Sequence, residues 1–157
     1  MRKFEEPQLQ FGEVDVSAIE IDLKSRDDIP KILLGLQAIY RDKKTIGKIL
    51  KILEKLSPSN KGRQGMHLWN IFVLAMVKLS LNCDYDRLHE LANQHQTIRQ
   101  MLGVGIFDKK YFELKTIKNN VRLFTPEILD EINTVIVKFG HKVISKKKLY
   151  MQDATLL

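Results

Sequence analysis

Hydrophobic positions are densest between Met66 and Leu81, where twelve of sixteen residues are apolar. A helix over this stretch is greasy nearly all round and has to be wrapped by the rest of the chain, so the pattern predicts a buried central helix. Before it the pattern becomes striped. Ile32, Leu33, Leu36 and Ile39 share one face of a helix that Asp27, Asp28 and Pro30 start and that runs to about Tyr40. Ile46, Ile49, Leu50, Leu53 and Leu56 do the same for Lys43 to Leu56, with Lys44, Lys48, Lys51 and Lys55 on the opposite side, toward solvent or phosphate. Ser57 to Gly65, with two glycines and a proline, has the composition of an exposed loop.

Beyond Leu81 the turn Asn82-Cys83-Asp84 leads into shorter, more polar elements. Asp84 is placed to cap a helix from Tyr85 to Asn93 with Leu88, Leu91 and Ala92 inward. Thr97 is placed to cap Ile98 to Leu102, and Gly103 to end it in a left-handed conformation. Two helices joined by the polar turn Asn93 to Gln96 make a helix-turn-helix candidate, with Arg87, His95, Arg99 and Gln100 outward. The same spacing also fits an ordinary helical hairpin in a bundle. Val104 to Glu113 is a loop carrying Phe107, Tyr111 and Phe112. A helix from about Leu114 to Leu123 then lines up Lys115, Lys118, Asn119 and Arg122 as a phosphate-contacting row. Thr125 caps and Pro126 opens the last helix, with Ile128, Leu129, Ile132, Val135 and Ile136 as core, until Gly140 stops it.

The ends are less regular. Residues 1–27 alternate weakly through Val14, Val16, Ile19, Ile21 and Leu23, which suits a poorly anchored extended arm or short strand. Residues 143–157 read as a lysine-rich linker and the beginning of a strand. The expected fold is therefore all-α: a single domain over 28–142, of about six helices around 66–81, with a helix-turn-helix-like hairpin and an extended amino-terminal arm.

With 157 residues, 44% of them apolar, the chain is long enough for one real core. Asn70, Lys78 and Ser80 break the apolar run before it reaches the roughly 20 residues of a membrane span. The polar start MRKFEEPQLQ has no signal-peptide core, so a cytoplasmic location is expected. One cysteine, Cys83, makes no internal disulfide and reads as structural.

Charge changes the picture more than composition does. Lys/Arg and Asp/Glu number four and eight over residues 1–30, nine and two over 31–65, three and three over 66–105, and ten and six over 106–157. Two basic regions flank a neutral core, and the total is +7. That split favours a polyanionic partner, most often nucleic acid, and hence a nucleoid-associated protein; the plainer alternative is that lysines solvate exposed helices. Arg63, in the loop before the central helix, joins the DNA-contacting candidates.

Catalytic chemistry is not apparent in the residues. His67, His89, His95 and His141 lack the paired spacing of a helical zinc site, so no metal ligands are assigned. There is no phosphate-cradling glycine loop, no serine in a nucleophile turn, and the acids are scattered over amphipathic helices.

Three segments, DIPKILLGLQAIY (28–40), GMHLWNIFVLAMVKLSLNCDYDRLHELANQHQTIRQMLG (65–103) and TIKNNVRLFTPEILDEIN (116–133), resemble the amino-terminal part of bacterial insertion-sequence transposases of the ISNCY type, a DDE class. The similarity spans roughly residues 8–148 in order. It implies a DNA-binding and dimerisation region for transposon ends, the terminal inverted repeats, followed in the family by a ribonuclease-H-like catalytic domain. There two aspartates and a glutamate hold divalent metal, Mg in the full-length enzyme, because two cations must clamp both the attacking and the leaving oxygen of a phosphodiester. This stretch by itself is expected to need no cofactor and to be catalytically incomplete. Asp153 is the family's first acid if the tail is in frame.

A second explanation of the tail is a frameshift. Suitably chosen codons for Gln152 to Leu157, read one base earlier, spell the Arg-Cys-Asp-Ser-Phe that family members carry there. An adenine run encoding Lys146 to Lys148 is a natural site of slippage. The resemblance also implies a homodimer or a mixed assembly with intact transposase. The alternative function is accordingly a protein-interaction module that inhibits the intact enzyme.

Overall fold

Asp27 accepts the amide hydrogen of Ile29 at 3.2 Å and so starts α1 (Asp28–Arg41) in the computed structural model, which describes residues 12–56 and 65–155, with side chains as far as 144. Asp42 ends α1 and caps α2 (Lys43–Glu54), accepting from the Thr45 amide at 3.2 Å. The central apolar run forms α3 (Leu68–Leu81). Its fully buried residues include Phe72, Val73, Leu74, Ala75 and Val77, on several sides of the cylinder, as an all-round greasy helix requires. Then follow α4 (Tyr85–Gln94), α5 (Gln96–Met101), α6 (Leu114–Val121) and α7 (Pro126–Thr155). Among the described residues there are seven α-helices, one short 3-10 turn and no strand.

The helices wrap α3 as the pattern requires. α1, α2, α4 and α6 all pack on it, and α7 lies along α2. Two ion pairs fix the direction of that last contact: Lys142 meets Asp42 at 3.5 Å and Glu131 meets Lys55 at 3.8 Å, so α7 runs antiparallel to α2. Ile49, Leu53, Ile117 and Ile132 are fully buried where these helices meet. Each such side chain contributes roughly 1.5–3 kcal/mol by leaving water.

Three expectations are corrected. From residue 12 on, where it is described, the amino-terminal segment is not an unanchored extended arm. Val16–Ala18 form a 3-10 turn, Val16 and Ile19 are buried, and the Gln37 side chain donates to both their carbonyls at 2.9 Å. Arg41 adds bonds to the Ser17 carbonyl. A buried amide with no other partner pulls those backbone groups in with it.

His95, not Thr97, caps α5: its Nδ1 accepts from the Ile98 amide at 3.2 Å, which moves the start of the helix to Gln96. Gly140 does not stop α7. The residues after 143 are not a linker leading into a strand, because the same helix continues through them to Thr155. The all-helical class stands, with seven helices among the described residues where about six were expected. The expected left-handed residue does close α5, at Gly103 (φ 74°).

Candidate nucleic-acid interface

Basic side chains meet an aromatic ring where α3, α4 and α6 come together. Lys78 sits in the last turn of α3, where a cation opposes the negative end of the helix dipole. Asn82 then takes a left-handed conformation (φ 49°), and the Cys83 amide donates back to the Lys78 carbonyl at 3.2 Å. This reversal returns the chain so that Tyr85, first residue of α4, stands beside Lys78. The Lys78 ammonium is 4.8 Å from the centre of the Tyr85 ring, and the Lys118 ammonium, from α6, is 6.0 Å from the same centre.

Lys115 and Arg122 lie one turn to either side of Lys118 on α6, and both are exposed, as is Asn119. The result is a basic strip on α6 that widens at Tyr85 into the end of α3. Burial of Cys83, in the turn between them, pushes its thiol up from the usual range.

The other sequence candidates are arranged differently. Tyr85 and Arg87 are about 200° apart around α4, so Arg87 projects from the opposite flank. It is exposed there and acts electrostatically on His95, as does Asp27. His95 is half-buried, its pKa lowered chiefly by that burial, and its Nδ1 lone pair is committed to the cap. Arg99 turns its guanidinium inward onto carbonyls, donating to Ala92 at 3.2 Å, Lys110 at 2.9 Å and Asp108 at 3.4 Å.

Gln100 is half-buried and lines an open cleft of about 310 Å³ together with Asn93, Gln94 and Gln96. With Ile98 and Met101 buried and the Arg99 guanidinium on carbonyls, the six-residue α5 leaves Gln96, Thr97 and Gln100 as its accessible polar side chains without such contacts. Arg63 lies outside the described residues. Asp153 falls on α7, and its side chain is likewise outside them.

The loop between α5 and α6 is tied down by the same α4. Asn93 accepts from the Phe112 amide at 2.8 Å and donates to the Phe112 carbonyl at 3.0 Å. The Tyr111 hydroxyl meets His89 Nε2 at 2.8 Å. α6 therefore leaves a fixed point, which sets the direction in which its basic strip faces.

Lys78 and Tyr85 are the members that sequence reasoning missed. Lys78 is the one Lys or Arg between residues 66 and 81, and there it registers only as a break in an apolar run. The six residues between it and Tyr85 are bridged by the left-handed turn at Asn82, which spacing alone does not foretell.

Among the described residues, no group of three or more His, Cys, Asp or Glu side chains converges as a metal site. No described helix is long and apolar enough to cross a membrane. No protein family, curated protein or solved structure matches the chain.

Proposed function

We propose that this chain binds the ends of a mobile DNA element, as the amino-terminal part of an insertion-sequence transposase of the ISNCY type. The observation that carries the reading is the convergence of Lys78 and Lys118 on the Tyr85 ring, flanked along α6 by Lys115 and Arg122. Cations fixed beside an aromatic ring and spaced by single helical turns suit a phosphate backbone, with Asn119 and Tyr85 as the polar and flat groups next to it. Arg87 stands ready on the other flank of α4. The assigned activity is binding and not strand cleavage; metal-dependent nicking by the purified chain would overturn that assignment.

The test is titration of terminal inverted-repeat DNA against the full chain and against Lys78→Gln/Lys118→Gln/Arg122→Gln across a salt series. Three lost phosphate contacts flatten the plot of log K against log salt by roughly 2.7 units. An identical slope would take these residues out of the interface.

A second reading, an interaction module that dimerises or joins intact transposase, is favoured by Val137 and Ile144, both more than half exposed on α7 with Val143 beside them. Light scattering on the isolated chain separates the two, since an interaction module self-associates and leaves DNA unshifted.

A further inference from the structure

We propose that the outer face of α2 is a second nucleic-acid contact, a rail that holds the backbone of a DNA duplex without reading its sequence; this rests on the DNA-binding reading above. Lys44, Lys48, Lys51 and Lys55 follow one another at four-, three- and four-residue steps, which puts all of them within a wedge of about 60° along roughly 16 Å of helix. All four are exposed. Ile46, Ile49, Leu50 and Leu53 occupy the diametrically opposite side and are buried in the core, so the row cannot turn inward. The one acid of α2, Glu54, projects about 90° away from it.

Lys44, Lys48 and Lys51 make no ion pair among the described residues. Lys55, at the end of the row, meets Glu131 at 3.8 Å with both side chains more than half exposed, a contact too weak to compete with phosphate. Gly47 leaves open space beside the row, with no heavy atom within 4 Å of where a Cβ would stand.

The chemistry of the row selects its partner. An amphipathic helix that lies on a lipid surface needs its apolar face free to enter the bilayer boundary, and here that face is the protein core. What remains is a line of point charges. Ammonium groups on flexible stems neutralise phosphates without the bidentate geometry by which arginine distinguishes bases. A duplex presents one negative charge per about 1.7 Å of its axis, so a 16 Å row finds a phosphate for each lysine. α2 packs on α1, α3 and α7, whereas the α6 strip packs on α3 and α4, so the rail is a separate surface from the strip.

The experiment compares the full chain with Lys44→Gln/Lys48→Gln/Lys51→Gln on two duplexes of equal length and unrelated sequence, over a salt series. Glutamine keeps helix propensity close to lysine, and circular dichroism verifies that the variant is folded. The expected result is a salt slope shallower by roughly 2 to 3 units and an affinity loss on the order of a hundredfold near 0.1 M salt, equal on both duplexes.

An unchanged slope in the folded variant overturns the rail while leaving the DNA-binding reading intact, and so does a loss confined to one duplex. A loss of binding to phosphatidylserine vesicles with DNA binding unaltered also overturns it. Failure of the unsubstituted chain to bind either duplex also overturns the rail, whereas failure to bind terminal inverted-repeat DNA as well overturns the DNA-binding reading with it.

Discussion

The indole nitrogen of Trp69 donates to the carbonyl of Met101 at 2.9 Å, which ties the first turn of the central helix to the last residue of α5. Tyr40 meets the same indole edge-on, with ring centres 4.9 Å apart, so α1, α3 and α5 are joined through one side chain. Trp69→Phe keeps most of the packing but leaves the Met101 carbonyl without its partner. The expected loss is about 1–3 kcal/mol of stability in urea unfolding followed by circular dichroism. A loss below about 0.5 kcal/mol would mean that the carbonyl finds water and that α5 is not held by this bond.

Arg99 separates a structural from a DNA-contacting role. Its three carbonyl contacts tie the end of α4 to the loop between α5 and α6, and they use the planar fork that lysine lacks. Arg99→Ala is expected to lower stability by about 1–2 kcal/mol and Arg99→Lys to rescue little of it, with the salt slope for DNA unaltered in both. A slope shallower by a full unit would instead place the guanidinium on a phosphate.

The contrast between Arg99 and the caps shows what the chain made legible. Asp84 caps α4 by accepting from the Arg87 amide, and Thr125 caps α7; both bonds span three residues, so residue type and position were enough to find them. The helical stripes were equally local, and the buried sets of α1, α2 and α4 largely follow them. What escaped was non-local or depended on an unusual donor. Gln37 holds backbone groups 18 and 21 residues earlier, and nothing in the spacing of Val16 and Ile19 announces that partner. The histidine cap at residue 95 escaped because imidazole accepts an amide hydrogen only in its neutral form. The basic site was half visible: the α6 row is a helical repeat, whereas its meeting with Lys78 and Tyr85 needs the turn at Asn82.

That neutral form makes α5 sensitive to acid. Burial lowers the pKa of His95 in the folded protein, Asp27 offsets this in part, and Arg87 adds to it. A folded pKa below the unfolded value of about 6.5 means that the unfolded chain binds the proton more readily. The stability contributed by neutral His95 is thus fully present above about pH 6.5 and is lost as pH falls through the folded pKa. His95→Asn retains a capping oxygen without titrating. Urea unfolding at a series of pH values from 7.5 to 5, values chosen to bracket about 6.5, should show a steeper decline for the parent than for the variant. Parallel curves would sink the assignment.

Asp42 acts in a more acid window. Its bond to the Thr45 amide is the chief cause that lowers its pKa; burial opposes this, and Lys142 assists the lowering to a lesser extent. A lowered carboxyl pKa gives stability that is present above the unfolded value of about 3.9 and disappears as pH falls through the folded one. Asp42→Asn keeps the cap and removes only the exposed pairing with Lys142, a change within about 0.5 kcal/mol. Asp42→Ala loses the cap of α2 and about 1 kcal/mol. Thermal unfolding of the two variants at neutral pH distinguishes the contributions. Equal losses would assign the stability to the ion pair with α7.

Gly140 tests the continuity of α7 most directly, because the two possible backbones predict opposite signs. Read as a stop signal, the glycine occupies a left-handed position after the last turn, where any Cβ is strained and alanine is destabilising. Within α7, which runs unbroken from Pro126 to Thr155, it is an interior helical residue with no heavy atom within 4 Å of an added Cβ. Alanine there removes backbone entropy from the unfolded chain and should stabilise by about 0.5–1 kcal/mol. Gly47, inside α2 and equally uncrowded, supplies the comparison on the same protein. If Gly47→Ala raises the unfolding temperature and Gly140→Ala lowers it, the helix ends at residue 140 and the exposed Val143 and Ile144 do not continue its face. If both raise it, the long helix stands, and Ile144, seven residues on, continues the exposed face of Val137 that the interaction-module reading requires.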